Sequence, residues 1–292
     1  MGLWSFLLDI PLVRGIGWGV LHSLWVGTAL AAGLYVVLAL TRRRSPKVRY
    51  FLCCMGLAGA VALPAAMGVC AALNWRVEAP LLADAGFILE PAVPRIAIAW
   101  VVGASLALTQ LVGGWAYIQH RMRRDAWPSN AVSRTELLVL SSRLGLAPRV
   151  RILESTYIET PLVVGALRPA VVLPTLGVLE LSARELDAIL GHELAHIRRH
   201  DYLANLVQSV VEAVLFYHPA VWWLSRLIRQ EREHCCDDLA VRACGDTLLY
   251  LRSLTVLESL RYVSPAPVAA AAGTPLVDRI RRLAERRGRR PS

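Results

Sequence analysis

The sequence predicts an α-helical multi-pass membrane protein whose spans are followed by a cytoplasmic α+β domain. The 292 residues are 55% hydrophobic and 18% charged, with a mean hydropathy of +0.46, whereas soluble domains hold about 25% charged residues. The apolar excess is concentrated in three long uncharged runs near the N-terminus. After residue 120 the chain instead alternates short strand-like segments with amphipathic helical ones. These observations exclude a disordered chain and an ordinary soluble enzyme.

Residues 1–120 are predicted to form a membrane domain with three transmembrane helices, at 15–40, 50–75 and 96–120. Each run lacks charged residues and exceeds the roughly 20 residues that a helix needs to cross a bilayer. No basic segment precedes the first run and no small-residue cleavage site follows it. We therefore expect a retained anchor and not a signal peptide.

The charges of the connecting loops predict the orientation of these spans. The loop TRRRSPKVR between the first two runs carries five basic residues and no acid, and HRMRRD follows the third run. The loop between the second and third runs has only two basic residues against three acids. Because basic loops stay inside, we expect a plasma (inner) membrane protein with its N-terminus outside and the rest of the chain after residue 120 in the cytoplasm.

The formal net charge of +10 does not indicate nucleic-acid binding. Many of the basic residues flank the apolar runs, where they orient a membrane protein. No direct contact with nucleic acid is therefore expected. The six cysteines show no secreted disulfide pattern, and we expect buried, reduced thiols.

The first part of the region 121–262 predicts a small α+β fold. A helix is expected over 133–144, followed by a strand at 150–153. Two further strands, 162–164 and 170–173, flank a turn at Gly165. The segment LSARELDAILGHELAHIRRH then predicts a strong amphipathic helix, with Ser182 and Glu185 forming a capping box at its start.

The later segments of the chain predict a fold-back and a tail. Residues 202–228 are apolar enough to suggest a fourth span, but Glu212 and Pro219 interrupt them. Because proline breaks a helix, we expect two helices that fold back next to the membrane. Residues 263–292 are expected to be a linker and a basic, solvated C-terminal tail.

The predicted helix carries the pattern H-E-L-A-H at 192–196, which predicts a metal site. His192 and His196 are four residues apart, so both imidazoles lie on one helix face and can bind one ion. Glu193 is placed to take a proton from the attacking water of a zinc peptidase. Incidental histidines on a surface helix are the alternative interpretation.

A catalytic zinc ion needs a third protein ligand. His200 is too far from His192, because eight residues span about 12 Å along a helix. We expect His200 either to cap the helix or to contact a metal-binding side chain without touching the metal itself. The segment EREHCCDD at 231–238 offers a carboxylate from a second helix, but composition alone does not choose among its acids, histidine and cysteines. If the zinc site is real, the segment 202–228 does not cross the membrane once, since the two motifs would then lie on opposite sides.

Three ordered motifs resemble the membrane metallopeptidases of the BlaR/MecR type, which are antibiotic-sensing signal transducers. They are HELAHIRRHD at 192–201, FYHPAVWW at 216–223 and EREHCCDD at 231–238. The resemblance implies a gluzincin-like zinc peptidase domain with Zn2+ bound by His192, His196 and Glu233. It also implies that Glu193 is the general base and that Asp237 orients a histidine ligand without touching the metal.

In that family the peptidase cleaves itself or a cytoplasmic repressor. The expected function is therefore a membrane zinc metalloendopeptidase in signal transduction, with a protein substrate, the lipid bilayer and a homodimer as expected partners. The alternatives are a quality-control protease of the Ste24/HtpX type and a non-catalytic zinc-binding signalling scaffold. The sequence contains no penicillin-binding sensor domain with a Ser-x-x-Lys nucleophile, so we do not expect covalent antibiotic sensing by this chain.

Overall fold

The computed structural model describes residues 10–42, 44–73, 89–146, 150–165, 169–263 and 276–288. The chain divides into two compact units. The first unit contains Met1–Gly113 and Gln208–Ile228, and the second contains Gly114–Val207 and Arg229–Ser292. This division groups residues 208–228 with the N-terminal helices, and the functional domain limits stay predictions.

Three long apolar helices dominate the first unit. They are α1 (Pro11–Leu40), α2 (Pro46–Ala72) and α3 (Val93–Asp125), and each is long and apolar enough to cross a membrane. The expectation of three membrane-capable helices is thus confirmed, although residues 74 and 75 of the second run lie outside the described residues. Helices α1 and α2 approach closely where Gly15 faces Gly68. A Cβ atom on Gly15 would lie 2.8 Å from the carbonyl oxygen of Gly68, so neither position has room for a side chain.

The second unit contains a four-stranded sheet. Its strands are β1 (Ala126–Pro128), β2 (Arg151–Ser155), β3 (Leu162–Val164) and β4 (Ala170–Pro174), in the order β1-β2-β4-β3. Strands β2 and β4 are parallel, and the other two pairs are antiparallel. The three predicted strands are confirmed, and Gly165 has the positive φ of 87° that its turn requires.

Three helices flank this sheet in the chain: α4 (Arg134–Arg143), α5 (Thr175–Glu180) and α6 (Ala183–Arg199). The predicted capping box is present at the start of α6, where Ser182 and Glu185 each bind the backbone N–H of the other. Leu190 and Leu194 of α6 are fully buried against Val171 and Leu173 of β4 in the main core of the unit.

Four more helices follow in the described part of the chain. They are α7 (Asp201–Val214), α8 (Pro219–Cys244), α9 (Thr247–Val263) and α10 (Leu276–Gly288). The break at Pro219 is confirmed, since α7 ends before it and α8 begins at it. The expectation of a solvated basic tail is wrong for residues 276–288. Helix α10 packs against the unit through Leu283, and its arginines bind acidic residues of α8.

Candidate metal centre

Helix α6 carries the H-E-L-A-H pattern and ends abruptly beyond it. Its C-cap is His200, whose φ of 56° and ψ of 35° place it in the left-handed region. A residue in this conformation reverses the chain direction at a helix end. Helix α7 therefore starts at once, and its first residue, Asp201, is turned back toward α6. The expectation that His200 caps the helix is confirmed.

Three side chains from α6 and α8 bring their ligand atoms together. The Nε2 atoms of His192 and His196 are 3.2 Å apart. The Glu233 carboxylate faces both, with Oε2 3.4 Å from His192 Nε2 and Oε1 3.7 Å from His196 Nε2. All three ligand atoms lie within 4.8 Å of one another. The structure thus brings together the three residues that the resemblance assigned to the metal.

The opposite ring nitrogen of His196 is held by a carboxylate. Nδ1 of His196 lies 2.9 Å from Oδ2 of Asp201, so the N–H at Nδ1 donates to the carboxylate and the lone pair of Nε2 faces Glu233. The thiol of Cys236, on α8, also donates to Oδ2 of Asp201. The sequence assigned no role to Asp201, because its proximity depends on the left-handed turn at His200. The signal was its position at the end of the motif HELAHIRRHD.

His192 is held in the same way through a tyrosine. Nδ1 of His192 lies 2.8 Å from the Tyr250 hydroxyl, which donates to Oδ1 of Asp237 at 2.6 Å. Asp237 itself is 3.5 Å from His192 Nδ1. The hydroxyl proton goes to Asp237, so the oxygen accepts from Nδ1 and leaves Nε2 of His192 with a lone pair. Sequence reasoning missed Tyr250, which lies on α9, 58 residues after His192.

Helix α10 completes the surroundings of Asp237. The Arg279 guanidinium donates to both carboxylate oxygens of Asp237 and lies 3.6 Å from Glu233 Oε2. Burial alone would raise the pKa of Asp237, but Arg279, together with His192 and the Tyr250 hydroxyl, lowers the pKa below its ordinary value. The same helix binds Asp238 through Arg282. Arg279 was also missed, because the segment that carries it was expected to be solvated.

These contacts fit a zinc ion at the three ligand atoms. Two unprotonated nitrogens that face each other at 3.2 Å repel unless a cation lies between them. Nitrogens bound at about 2.0–2.1 Å to one tetrahedral zinc ion are about 3.3–3.4 Å apart. In the metal-free molecule burial would lower the pKa of His196, but Cys236, Asp201 and Glu233 raise it well above its ordinary value, so a proton takes the place that the metal ion would hold. The surroundings therefore favour positive charge at this point.

Glu193 is buried on α6 next to His192. Within the described residues, no hydrogen bond or ion pair occupies its carboxylate. A general base must reach the proton that it abstracts, and no described partner holds this carboxylate away from a bound water. The structure therefore leaves Glu193 available for proton transfer.

The other candidates of the segment 231–238 have different partners. Glu231 lies 3.6 Å from His234 Nδ1, and Asp238 binds Arg282. Cys236 faces His196 Nδ1 and Asp201, and burial raises the pKa of its thiol to about 12. A second group of metal-capable atoms thus exists at His196, Asp201 and Cys236. This second group uses Nδ1 of His196, whereas the first uses Nε2. The Cys236 thiol of the second group is protonated at neutral pH.

The chain is similar to known proteins. A family model described as BlaR1 peptidase M56 matches residues 87–283. The chain is 29% identical over 157 residues to the regulatory protein BlaR1 of Bacillus licheniformis. This alignment covers 52% of the present chain and 25% of BlaR1. The chain is also 26% identical over 143 residues to the methicillin resistance mecR1 protein of Staphylococcus aureus (strain Mu50 / ATCC 700699), covering 49% and 24% of the two chains.

A shorter match, 45% identical over 51 residues, is to a protease HtpX homolog of Bifidobacterium longum (strain NCC 2705). It covers 17% of each protein. The alignments with BlaR1 and mecR1 span only about a quarter of the length of those relatives.

Proposed function

Because the chain belongs to the BlaR1 peptidase M56 family, we propose that it is a membrane-anchored zinc metalloendopeptidase that cleaves protein substrates in signal transduction. The observation that carries the proposal is the convergence of His192, His196 and Glu233 beside a buried Glu193 whose carboxylate has no partner among the described residues. A structural zinc site has no use for such a carboxylate, whereas peptide hydrolysis needs a general base.

Each residue of this centre has a separate role in peptide hydrolysis. His192, His196 and Glu233 would hold Zn2+, which when bound supplies a Lewis acid that polarises the scissile carbonyl. Glu193 takes a proton from the attacking water and delivers it to the leaving amine. Asp201 fixes the ring of His196, while Tyr250 and Asp237 fix the ring of His192. The two imidazoles are thereby held in the tautomer that a metal requires.

We place the peptidase unit in the cytoplasm, in a plasma membrane protein with its N-terminus outside. Arg42, Arg44, Lys47 and Arg49 surround the connection between α1 and α2, and three arginines end α3 at Arg121, Arg123 and Arg124. Since basic segments stay inside, both segments favour the cytoplasmic side. A probe such as a protease added to sealed vesicles of either orientation would test this assignment.

The substrate is an extended segment of protein, either this chain itself or a cytoplasmic regulator such as a transcriptional repressor. Among the described residues, β3 pairs only with β4 and lies at an edge of the sheet. An edge strand offers unpaired backbone groups to which an extended peptide can add. Ordinary packing of β3 is the alternative. A homodimer is also proposed as a partner, to be measured by the mass of the particle in nanodiscs.

Two other functions are distinguishable from this one. The match to the protease HtpX homolog keeps open the alternative of a quality-control protease, which would cleave many proteins and not a single regulator. A zinc-binding scaffold would need the three ligands but not Glu193.

The experiment compares newly formed protein N-termini in cells that carry the wild type or Glu193→Ala, with zinc content measured in both purified proteins. A few cleavages that vanish in the variant, with zinc retained, support a regulatory protease. Many vanishing cleavages after heat stress support the quality-control function. Identical N-termini in both strains under several stresses would favour the scaffold.

A further inference from the structure

Helices α7 and α8 form a helical hairpin whose tip, Val214–His218, packs among the membrane-capable helices of the first unit. His218 Nε2 donates to the carbonyl oxygen of Ser23 on α1 at 2.8 Å, and the hydroxyls of Tyr217 and Ser23 are 2.7 Å apart. The ring of Phe216 lies directly on Gly103 of α3, where a Cβ atom would overlap it. The tip is therefore enclosed by two helices that are expected to cross the bilayer.

The depth of these contacts follows from their positions on the two helices. Ser23 is 12 residues after Pro11 and 17 before Leu40, which places it about 18 Å and about 25 Å from the two helix ends. Gly103 is 10 residues after Val93, about 15 Å from the start of α3. Both helices are predicted to begin at the outer surface and to end in the cytoplasm. The two contacts therefore lie at similar depths, past the middle of the membrane as seen from the cytoplasmic side.

Two carbonyl groups at the tip accept hydrogen bonds from indole side chains. The turn between α7 and α8 frees carbonyl groups that a helix would otherwise use. Trp100 Nε1 donates to Val214 O at 2.9 Å, and Trp222 Nε1 donates to Phe216 O at 2.8 Å. His218 Nδ1 accepts from the backbone N–H of Ala220. A turn in water does not need indole donors, whereas a turn in hydrocarbon needs a protein partner for every polar group.

A buried polar side chain of α7 connects the two arms. Gln208 of α7 is 2% exposed and donates to the carbonyl oxygen of Ser225 on α8 and to the carboxylate of Glu212. Between Tyr202 and Ser225 the only ionisable side chains besides histidine are Tyr217 and Glu212. This arrangement is expected of a segment whose outside faces lipid, since polar groups in a membrane are costly unless they are paired inside.

The opposite face of α7 is apolar and exposed. It consists of Leu203, Leu206, Val207 and Val210, which follow one another at helical spacing and are 39–64% exposed. This stripe continues the kind of surface that α1, α2 and α3 present, with exposed Leu63 and Val102 among many others. A soluble surface rarely carries such a continuous apolar patch.

We propose that the hairpin formed by α7 and the first part of α8 is a re-entrant membrane element, with its tip beyond the middle of the bilayer and the apolar stripe of α7 covered by lipid acyl chains. This inference does not depend on the metal or on catalysis. It assigns the bilayer a direct contact with the two helices that carry Asp201 and Glu233.

Photolabelling of the native chain tests the proposal. The purified full chain is reconstituted in vesicles of phosphatidylethanolamine and phosphatidylglycerol that contain a phospholipid with a diazirine either at the end of an acyl chain or next to the headgroup. Labelled peptides are then mapped by mass spectrometry. Val102 is the internal reference for a lipid-facing residue, and Val139, 47% exposed on α4, is the reference for an exposed apolar residue outside the membrane.

We expect the chain-end probe to label Val207 and Val210 about as strongly as Val102 and to leave Val139 unlabelled. Labelling of the stripe by the headgroup probe alone would overturn the proposal, because the hairpin would then lie on the membrane surface. An unlabelled stripe beside a labelled Val102 would overturn it as well. In that case a photoreactive amino acid at position 210 that yields a cross-linked dimer would identify a second copy of the chain as the cover.

Discussion

Asp201 Oδ2 lies 2.9 Å from Nδ1 of His196, although Asp201 begins α7 and His196 belongs to α6. The left-handed conformation of His200 makes this contact, since it ends α6 and starts α7 within one residue. The Asp201 carboxylate thereby fixes the ring of His196. If α6 continued as one helix, the Asp201 side chain would point away from that ring.

Replacing Asp201 with alanine is expected to weaken zinc binding about 10- to 100-fold, because partners that orient a histidine ligand typically contribute that much. Chelator competition on the purified chain measures the change. Asp246→Ala is the matched control, since Asp246 accepts from the backbone N–H groups of Leu248 and Leu249 at a helix start and touches no ligand. Equal zinc affinity in both variants would contradict the orienting role of Asp201.

Glu233→Gln should lose zinc, whereas Glu231→Gln should retain it. Both glutamates lie on α8, but only Glu233 faces the two histidines, while Glu231 lies beside His234. Metal content after dialysis against a weak chelator distinguishes them. If Glu231→Gln lost zinc and Glu233→Gln kept it, the assignment of the third ligand would be wrong.

Arg279→Gln is expected to lower the free energy of unfolding by up to about 3–5 kcal/mol, because it removes the cation that donates to both oxygens of the buried Asp237 carboxylate and leaves, among the described arginines, only Arg282, at 3.8 Å. Arg286→Gln is the control on the same helix. The side chain of Arg286 is 53% exposed where it meets Asp238, so its removal should cost about 0–1 kcal/mol. Denaturant titration of the metal-free chain measures both. Adding Asp237→Asn to Arg279→Gln should recover part of the loss, and no recovery would argue against this pairing.

Gly27→Ala should destabilise the chain by about 1–3 kcal/mol, since its methyl group would overlap the ring of His218 at the hairpin tip. Gly33 lies on the same helix, and a Cβ atom added to it would have no atom of another described element within 4 Å, so Gly33→Ala should be neutral or slightly stabilising. Thermal unfolding in detergent micelles compares the two. Equal midpoints would mean that the tip is not held against α1.

The capping box of α6 predicts a pH dependence. Hydrogen bonds from the side chain and the backbone of Ser182 lower the pKa of Glu185 below its ordinary value of 4.5. A lowered pKa means that the ionised form stabilises the fold above about pH 4.5 and that this contribution is lost as the pH falls through the folded pKa. Glu185→Gln cannot titrate, so the stability advantage of the wild type should shrink from pH 6 to pH 3. A constant difference would show that ionisation of Glu185 does not contribute.

Local chemistry made much of the fold predictable. Apolar runs, a proline and a capping box act over a few residues, so the three long helices, the break at Pro219 and the start of α6 followed from neighbouring residues. Strand β1 was not expected, because its three residues are too short for an alternating pattern and form a strand only through pairing with β2.

The candidate site was predictable only where its residues share a motif. His192, Glu193 and His196 stand on one helix, and Glu233 followed from the resemblance. Tyr250 and Arg279 reach the centre through tertiary packing, at 58 and 87 residues from His192. An arginine in a basic segment looks solvated until a buried acid such as Asp237 is placed beside it.

The hairpin also links metal binding to the bilayer thermodynamically. One arm begins with Asp201 and the other carries Glu233, so the centre is complete only when both arms are in place. Zinc binding then contributes free energy to closure of the hairpin. Suppose that a ligand or a bilayer displaces the tip and lowers the zinc affinity by some factor. Because the coupling is reciprocal, bound zinc then weakens the binding of that ligand or bilayer by the same factor. Membrane thickness and metal supply would thus act on a single equilibrium.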